Sequence, residues 1–259
     1  WSDGVAGGDA TAWPLHGTRA LAAQLLGLIP PILSLGIPLV WALANLDQLG
    51  SSLRDDLLPL SLRSLLLGVS AALLALAAAL LLAIAKRWSS AVWLRSLTFL
   101  AGIGYAIPGT VLALALLLTG APWQLAPLLL LLWGYSDRFL AVAKGGLDAA
   151  LERISPNLDE AATGLGFNWQ QVLRRVHLPL LRGPMTVGLL LVFVDTVKEL
   201  PLTFALRPFD FDTLSVRVYQ YASDERLAAA LLPALMILSL GLVAAMALVP
   251  SLDQASSKG

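Results

Sequence analysis

The chain has 259 residues, 58% of them hydrophobic and 13% charged, with a formal net charge of zero and a mean hydropathy of +0.77. A soluble domain carries about 25% charged residues, so this chain has too few polar groups to cover a water-facing globule, and its neutral balance points to no nucleic-acid partner. The absence of cysteine excludes disulfides, iron–sulfur clusters and thiolate zinc sites.

Residues 1–18 are Gly-rich, carry Asp3 and Asp9, and lack the basic-then-apolar order of a signal peptide. They read as a linker or tail, and the start at Trp1 rather than Met points to processing or to a longer polypeptide. Four charge-free stretches follow: between Arg19 and Asp47, Arg63 and Lys86, Arg95 and Asp137, and Arg226 and Asp253. About 20 apolar residues cross a bilayer core as a helix. The first, second and fourth stretches each fit one span. The third fits two, with a turn at Gly120-Ala121-Pro122.

The expected architecture is an all-α polytopic membrane protein with six transmembrane helices in residues 19–250. The spans fall at about 21–46, 60–85, 97–118, 123–143, 184–206 and 227–249, followed by a tail at 251–259. The fifth is the least regular, because its apolar part, Met185–Val194, runs into Asp195, Lys198 and Glu199. An even number of spans puts both termini on one side.

Basic residues give the orientation. The loop after span two holds Lys86, Arg87 and Arg95 without an acid, and the loop after span four holds Arg138, Lys144, Arg153, Arg174, Arg175 and Arg182. The loop after span one, with Asp47, Arg54, Asp55, Asp56 and Arg63, is net negative. The second and fourth loops and both termini are therefore expected to be cytoplasmic. No catalytic constellation is visible. His16 and His177 are too far apart in sequence to form a metal motif, and no phosphate-binding Gly-x-x-x-x-Gly-Lys-Ser/Thr occurs.

The loop at 145–182 carries the most specific pattern. Ser155-Pro156 reads as an N-cap followed by proline at the first helical position, opening a short helix to about Thr163. Gly164 and Gly166 offer a left-handed stop. Asn168 caps a second short helix, Trp169–Val176, expected to end before Pro179. This predicts a helix–turn–helix outside the membrane. The same residues also read as an interfacial amphipathic hairpin that only anchors the bundle.

Glu160-Ala161-Ala162, Gly166, Val176 and Leu178-Pro179 match the pattern Glu-Ala-Ala-x3-Gly-x9-Ile-x-Leu-Pro, with Val176 in place of Ile. The match resembles the EAA loop of permease subunits in binding-protein-dependent ABC importers. The resemblance implies that Glu160, Ala161, Ala162, Gly166, Leu178 and Pro179 couple the spans to an ATPase. The short helix would sit in a groove of one of two ATP-binding subunits, with Gly166 as the turn. It further implies a substrate-binding protein, a second six-span half and a place in a bacterial inner membrane. No cofactor belongs to this chain; ATP is held by the partner.

Tyr105–Ala113, Arg138–Ala143, Lys198–Thr203 and Leu206–Leu214 are similar to the C-terminal half of ferric-iron ABC importer permeases, in a resemblance covering about residues 20–250. It implies ferric iron as cargo, although thiamine and phosphonate permeases share much of the design. A stand-alone secondary transporter would show an internal repeat, and none is visible.

Asp195, Lys198 and Glu199 lie at i, i+3 and i+4 and are expected on one helix face. Charges at membrane depth face a cavity or each other. Pro201 and Pro108 should break their helices. Pro108, Asp195, Lys198, Glu199 and Pro201 are thus candidates for the translocation path. The plainer alternative is an Asp195–Lys198 pair that holds the bundle together, with Glu199 and Arg207 at the water interface. In the outer loop at 207–226, Asp210 and Asp212 are hard-oxygen donors, but two carboxylates two residues apart read as a solvated turn, since a tight site would trap the ion.

Overall fold

A computed structural model describes residues 15–45, 57–89 and 91–256. Most of the 1–18 tail, most of the loop expected after span one, and the last three residues of the 251–259 tail lie outside them. The described residues are helical with no strand, and the chain forms two compact units, Trp1–Gly50 and Ser51–Gly259.

The first unit contains α1, Thr18–Ala44. Pro30 and Pro31 lie inside it and a π turn follows at Ile32–Gly36. A proline withholds an amide from the helix ladder, and a widened turn absorbs the mismatch.

The second unit runs α2 (Leu57–Trp88), α3 (Val92–Ala106), α4 (Gly109–Trp123), α5 (Pro127–Glu152), α6 (Pro156–Gly164), α7 (Trp169–Lys198), α8 (Pro201–Leu206), α9 (Leu214–Ser223) and α10 (Leu227–Ser256). Helices α2, α5 and α7 pack on one another and form the core. On α2 the small residues Ser64, Gly68, Ala71, Ala75, Ala79 and Ala83 are buried while Leu58, Leu66 and Leu81 are exposed. Small side chains inside and large apolar ones outside are what close helix approach in lipid selects. At Gly68 an added Cβ would come within 2.9 Å of the Phe193 ring of α7.

Among the described residues, four helices are long and apolar enough to cross a membrane: α1, α2, α7 and the Leu227–Ala247 part of α10. The span expected over 97–118 is not one straight helix. Its halves, α3 and α4, are bent by 119°, because Ile107 and Pro108 adopt extended backbone between them. The span expected from Trp123 begins instead at Pro127, after a left-handed Gln124. It carries Asp137, Arg138 and Lys144, which leave it less apolar than its neighbours.

The stretch expected at 184–206 also differs. Its helix starts much earlier, at Trp169, and stops at Lys198, where Glu199 turns extended. Pro179 does not end the segment begun by Asn168. A π turn at Leu173–His177 precedes it, and the helix passes through with that wider register.

Candidate functional site

The loop at 145–182 builds its hairpin from local chemistry. The Ser155 side chain accepts a hydrogen bond from the Asn157 amide, and Pro156 opens α6. Gly166 reverses the chain at φ +84°, a conformation suited to glycine. The Asn168 side chain accepts from the Gln171 amide, and Gln171 accepts in return from the Asn168 amide, each at 2.9 Å. This capping box starts α7. Glu160 and Ala161 are exposed, Ala162 is buried, Leu178 is half-buried and Pro179 is exposed. A depression of about 310 Å³ beside α6 is lined by Trp88, Asp159, Glu160, Thr163, Trp169 and Val172.

Beneath α6 lies a cluster that the sequence alone did not assemble. Arg87, at the end of α2, donates from Nε to Asp159 at 2.7 Å. Its Nη1 donates to the carbonyls of Leu151 (2.9 Å) and Ile154 (3.1 Å), and its Nη2 to those of Ile154 (3.1 Å) and Ser155 (3.3 Å). His177 is fully buried. Its Nε2 lies 2.9 Å from the other Asp159 oxygen, close but not aligned as a hydrogen bond. Burial holds the imidazole below its usual range, Arg87 acting in the same sense and Asp159 opposing. Arg87, hydrogen-bonded to Asp159, is its charge partner. Trp88 packs edge-on against both Trp169 and His177, at 6.2 and 5.8 Å between centroids.

A second constellation forms where the two broken helices meet. The Glu199 carboxylate lies 3.7 Å from Arg138 Nε of α5, as an ion pair rather than a hydrogen bond. It also accepts from the Leu202 amide at 3.4 Å, in the first turn of α8. Arg138 donates to the Ile107 carbonyl at the break between α3 and α4. The Glu199 carbonyl accepts from the Thr203 and Ser215 hydroxyls at 2.6 and 3.1 Å. Tyr135 and Thr203 share a further hydrogen bond. A Cβ at Gly109 would reach within 2.8 Å of the Glu199 carboxylate and 3.3 Å of Pro201. Two breaks release backbone groups that lipid cannot satisfy, and one Arg–Glu pair binds a released group at each.

Of the five path candidates, the structure brings Glu199, Pro201 and the Pro108 break together. It sets Asp195 and Lys198 apart as an ion pair of their own at 2.8 Å. The three charges do not share one helix face, because Lys198 is the last helical residue. Glu199 is only 11% exposed and paired to Arg138. In the loop at 207–226, Asp212 is engaged by Arg207, Arg217 and Gln220, and Arg63 donates to the Asp210 carbonyl at 2.9 Å. Among the described residues no group of three His, Asp or Glu side chains is placed to hold a metal ion.

Arg87, Trp88, Asp159, Trp169, His177, Arg138 and Tyr135 were not legible as site residues. The available signals were weak: Asp159 directly precedes Glu160, and Arg138, counted with the basic loop after span four, also lies inside the stretch expected as that span. Their partners lie tens of residues away.

The family of binding-protein-dependent transport system inner membrane components matches residues 75–255. The Fe(3+)-transport system permease protein FbpB 2 of Haemophilus influenzae is 29% identical over 217 residues, 80% of this chain and 42% of that protein. The chain thus spans less than half the length of this curated relative. Two solved structures share the fold at 15% identity. One is a bacterial ABC transporter involved in import of the acidic polysaccharide alginate, with a TM-score of 0.65 over 92% of this chain and 95% of that one. The other is the bacterial alginate ABC transporter in complex with its alginate pentasaccharide-bound periplasmic protein, with a TM-score of 0.67 over 90% and 92%.

Proposed function

Because the chain belongs to the family of binding-protein-dependent transport system inner membrane components, we propose that it is the permease half of an ATP-driven importer, with α6 as its contact to an ATPase subunit. The observation that carries this reading is α6 itself. It is an exposed nine-residue helix bearing Glu160 and Ala161, held by a glycine turn on one side and the Arg87–Asp159 pair beneath. The chain has no phosphate-binding loop of its own, so energy has to enter through a docked element. ATP then belongs to two partner subunits, and a second six-span half completes the pore.

In this reading the six spans are α1, α2, α3 with α4, α5, the part of α7 from Pro184 with α8, and α10. Helix α5 has 26 residues; at 1.5 Å per residue it is about 39 Å long, enough to cross the hydrocarbon core and carry its last residues into the loop at 145–182. Basic residues place the loop at 145–182 and both termini of this segment in the bacterial cytoplasm. The loop at 207–226 then meets a substrate-loaded binding protein outside. The helix breaks at Pro108 and Pro201, joined through Glu199, flank the path.

We assign ferric iron as cargo on the relationship to the Haemophilus influenzae permease. The test is uptake of radiolabelled ferric iron by proteoliposomes holding the full permease, its ATPase and its binding protein. Accumulation should require ATP and both partners. Uptake without the ATPase would overturn the importer reading in favour of a secondary transporter. ATP-driven uptake of thiamine or phosphonate instead of iron would overturn the cargo alone.

A further inference from the structure

Helix α6 is joined covalently to α5 through Ile154-Ser155 and to α7 through the turn at Gly166. Its link to α2 is different in kind. Among the described residues, Arg87 supplies every hydrogen bond that runs from α2 into the 145–182 loop. A guanidinium has five N–H groups in a planar fork. Here Nε serves Asp159 in the first turn of α6, while the two terminal nitrogens serve Leu151, Ile154 and Ser155, where α5 ends and α6 begins. The side chains of Arg87 and Asp159 are only 13% and 20% exposed, so water screens the pair less than it would a surface bridge.

The position also suits the helix ends. The last carbonyls of a helix lack internal partners and carry partial negative charge, while the first turn favours an acid. Arg87 adds donors where α5 ends, at the Ile154 carbonyl and at the Leu151 and Ser155 carbonyls that also accept from the Ile154 and Leu158 amides, and Asp159 supplies the acid on α6. His177 lies 2.9 Å from Asp159, and the Trp88 ring packs edge-on against both His177 and Trp169.

We propose that Arg87 is the positioning residue that makes the end of α2, the end of α5 and the start of α6 one rigid body, so that a displacement imposed on α6 reaches both core helices together. This rests on the reading of α6 as the ATPase contact. Without the fork, α6 would rock about Ser155 and Gly166, and hydrolysis would proceed without moving the core. Lysine cannot replace it fully, because a single ammonium lacks the planar set of donors.

The experiment uses the full permease with its ATPase and binding protein in proteoliposomes. Arg87→Gln, Arg87→Lys, Asp159→Asn and Glu160→Lys are compared for ATPase co-purification and for iron ions imported per ATP hydrolysed. The ratio is expected to fall about tenfold in Arg87→Gln and Asp159→Asn, within the usual range of site-to-site coupling. Arg87→Lys should fall in between, and the ATPase should still co-purify. Asp159→Asn keeps an acceptor for Arg87 and so reports even if Arg87→Gln does not fold. A normal ratio in Arg87→Gln or Asp159→Asn beside a lowered one in Glu160→Lys overturns the role of Arg87 and leaves the α6 reading standing. Normal ratios in all four variants overturn both.

Discussion

A methyl group added at Gly104 would collide with the Asp137 carbonyl oxygen, and a backbone oxygen cannot swing aside. Gly104→Ala is expected to cost about 1–3 kcal/mol as overpacking, measured as a lower thermal midpoint in detergent. Gly145→Ala, where the methyl meets nothing within 4 Å, should instead hold or raise stability by up to about 1 kcal/mol through helix propensity. Gly166 differs again, because its φ of +84° is closed to proline, whose ring holds φ near about −65°. Gly166→Pro and Glu160→Lys are both expected to insert in the membrane yet separate ATP hydrolysis from uptake. Normal iron accumulation by the Glu160→Lys protein would count against the role given to α6. At this scale the sequence was informative about conformation and nearly silent about contact. Ser155, Gly166 and Asn168 act on neighbours a few residues away, which is why their roles could be read from spacing. Arg87 and Asp159 are separated by 72 positions, and nothing local links them.

Between elements, the two helix breaks share one ion pair. Removing Arg138 leaves Glu199 without its cation and the Ile107 carbonyl without that donor, so Arg138→Met is expected to cost about 3–5 kcal/mol, as for a broken buried pair. Glu199→Gln keeps an acceptor for the Leu202 amide and should cost less. If the pair binds both breaks, the double variant loses less than the sum of the single losses. Strictly additive thermal midpoints would show that the breaks are held independently. Pro108 and Pro201 were visible in the sequence as helix breakers, because proline lacks an amide wherever it sits. That the breaks meet, and that Glu199 leaves the helix to join Arg138 rather than Asp195 and Lys198, depends on how α4, α5 and α8 pack. The length of α7 departs from its sequence pattern for a related reason. Pro179 reads as a stop, but the π turn before it carries the helix on.

Across the whole molecule, the lack of cysteine makes topology directly measurable. A single Thr163→Cys in α6 and a single Asp224→Cys after α9 should react with a membrane-impermeant thiol reagent from opposite sides, Thr163→Cys from the cytoplasm. Labelling of both from one side would overturn the proposed orientation. By itself the sequence determined that the chain is helical and belongs in a membrane, because charge-free stretches of that length leave the backbone no other way to satisfy its polar groups. It also determined the hairpin at 155–168, through caps and a glycine that act over a few residues. Tertiary structure alone decided which remaining charges meet. Arg87 reaches across to Asp159 and Arg138 to Glu199 because α2, α5 and α7 pack closely on small residues, and closeness between distant parts of a chain is a property of that packing.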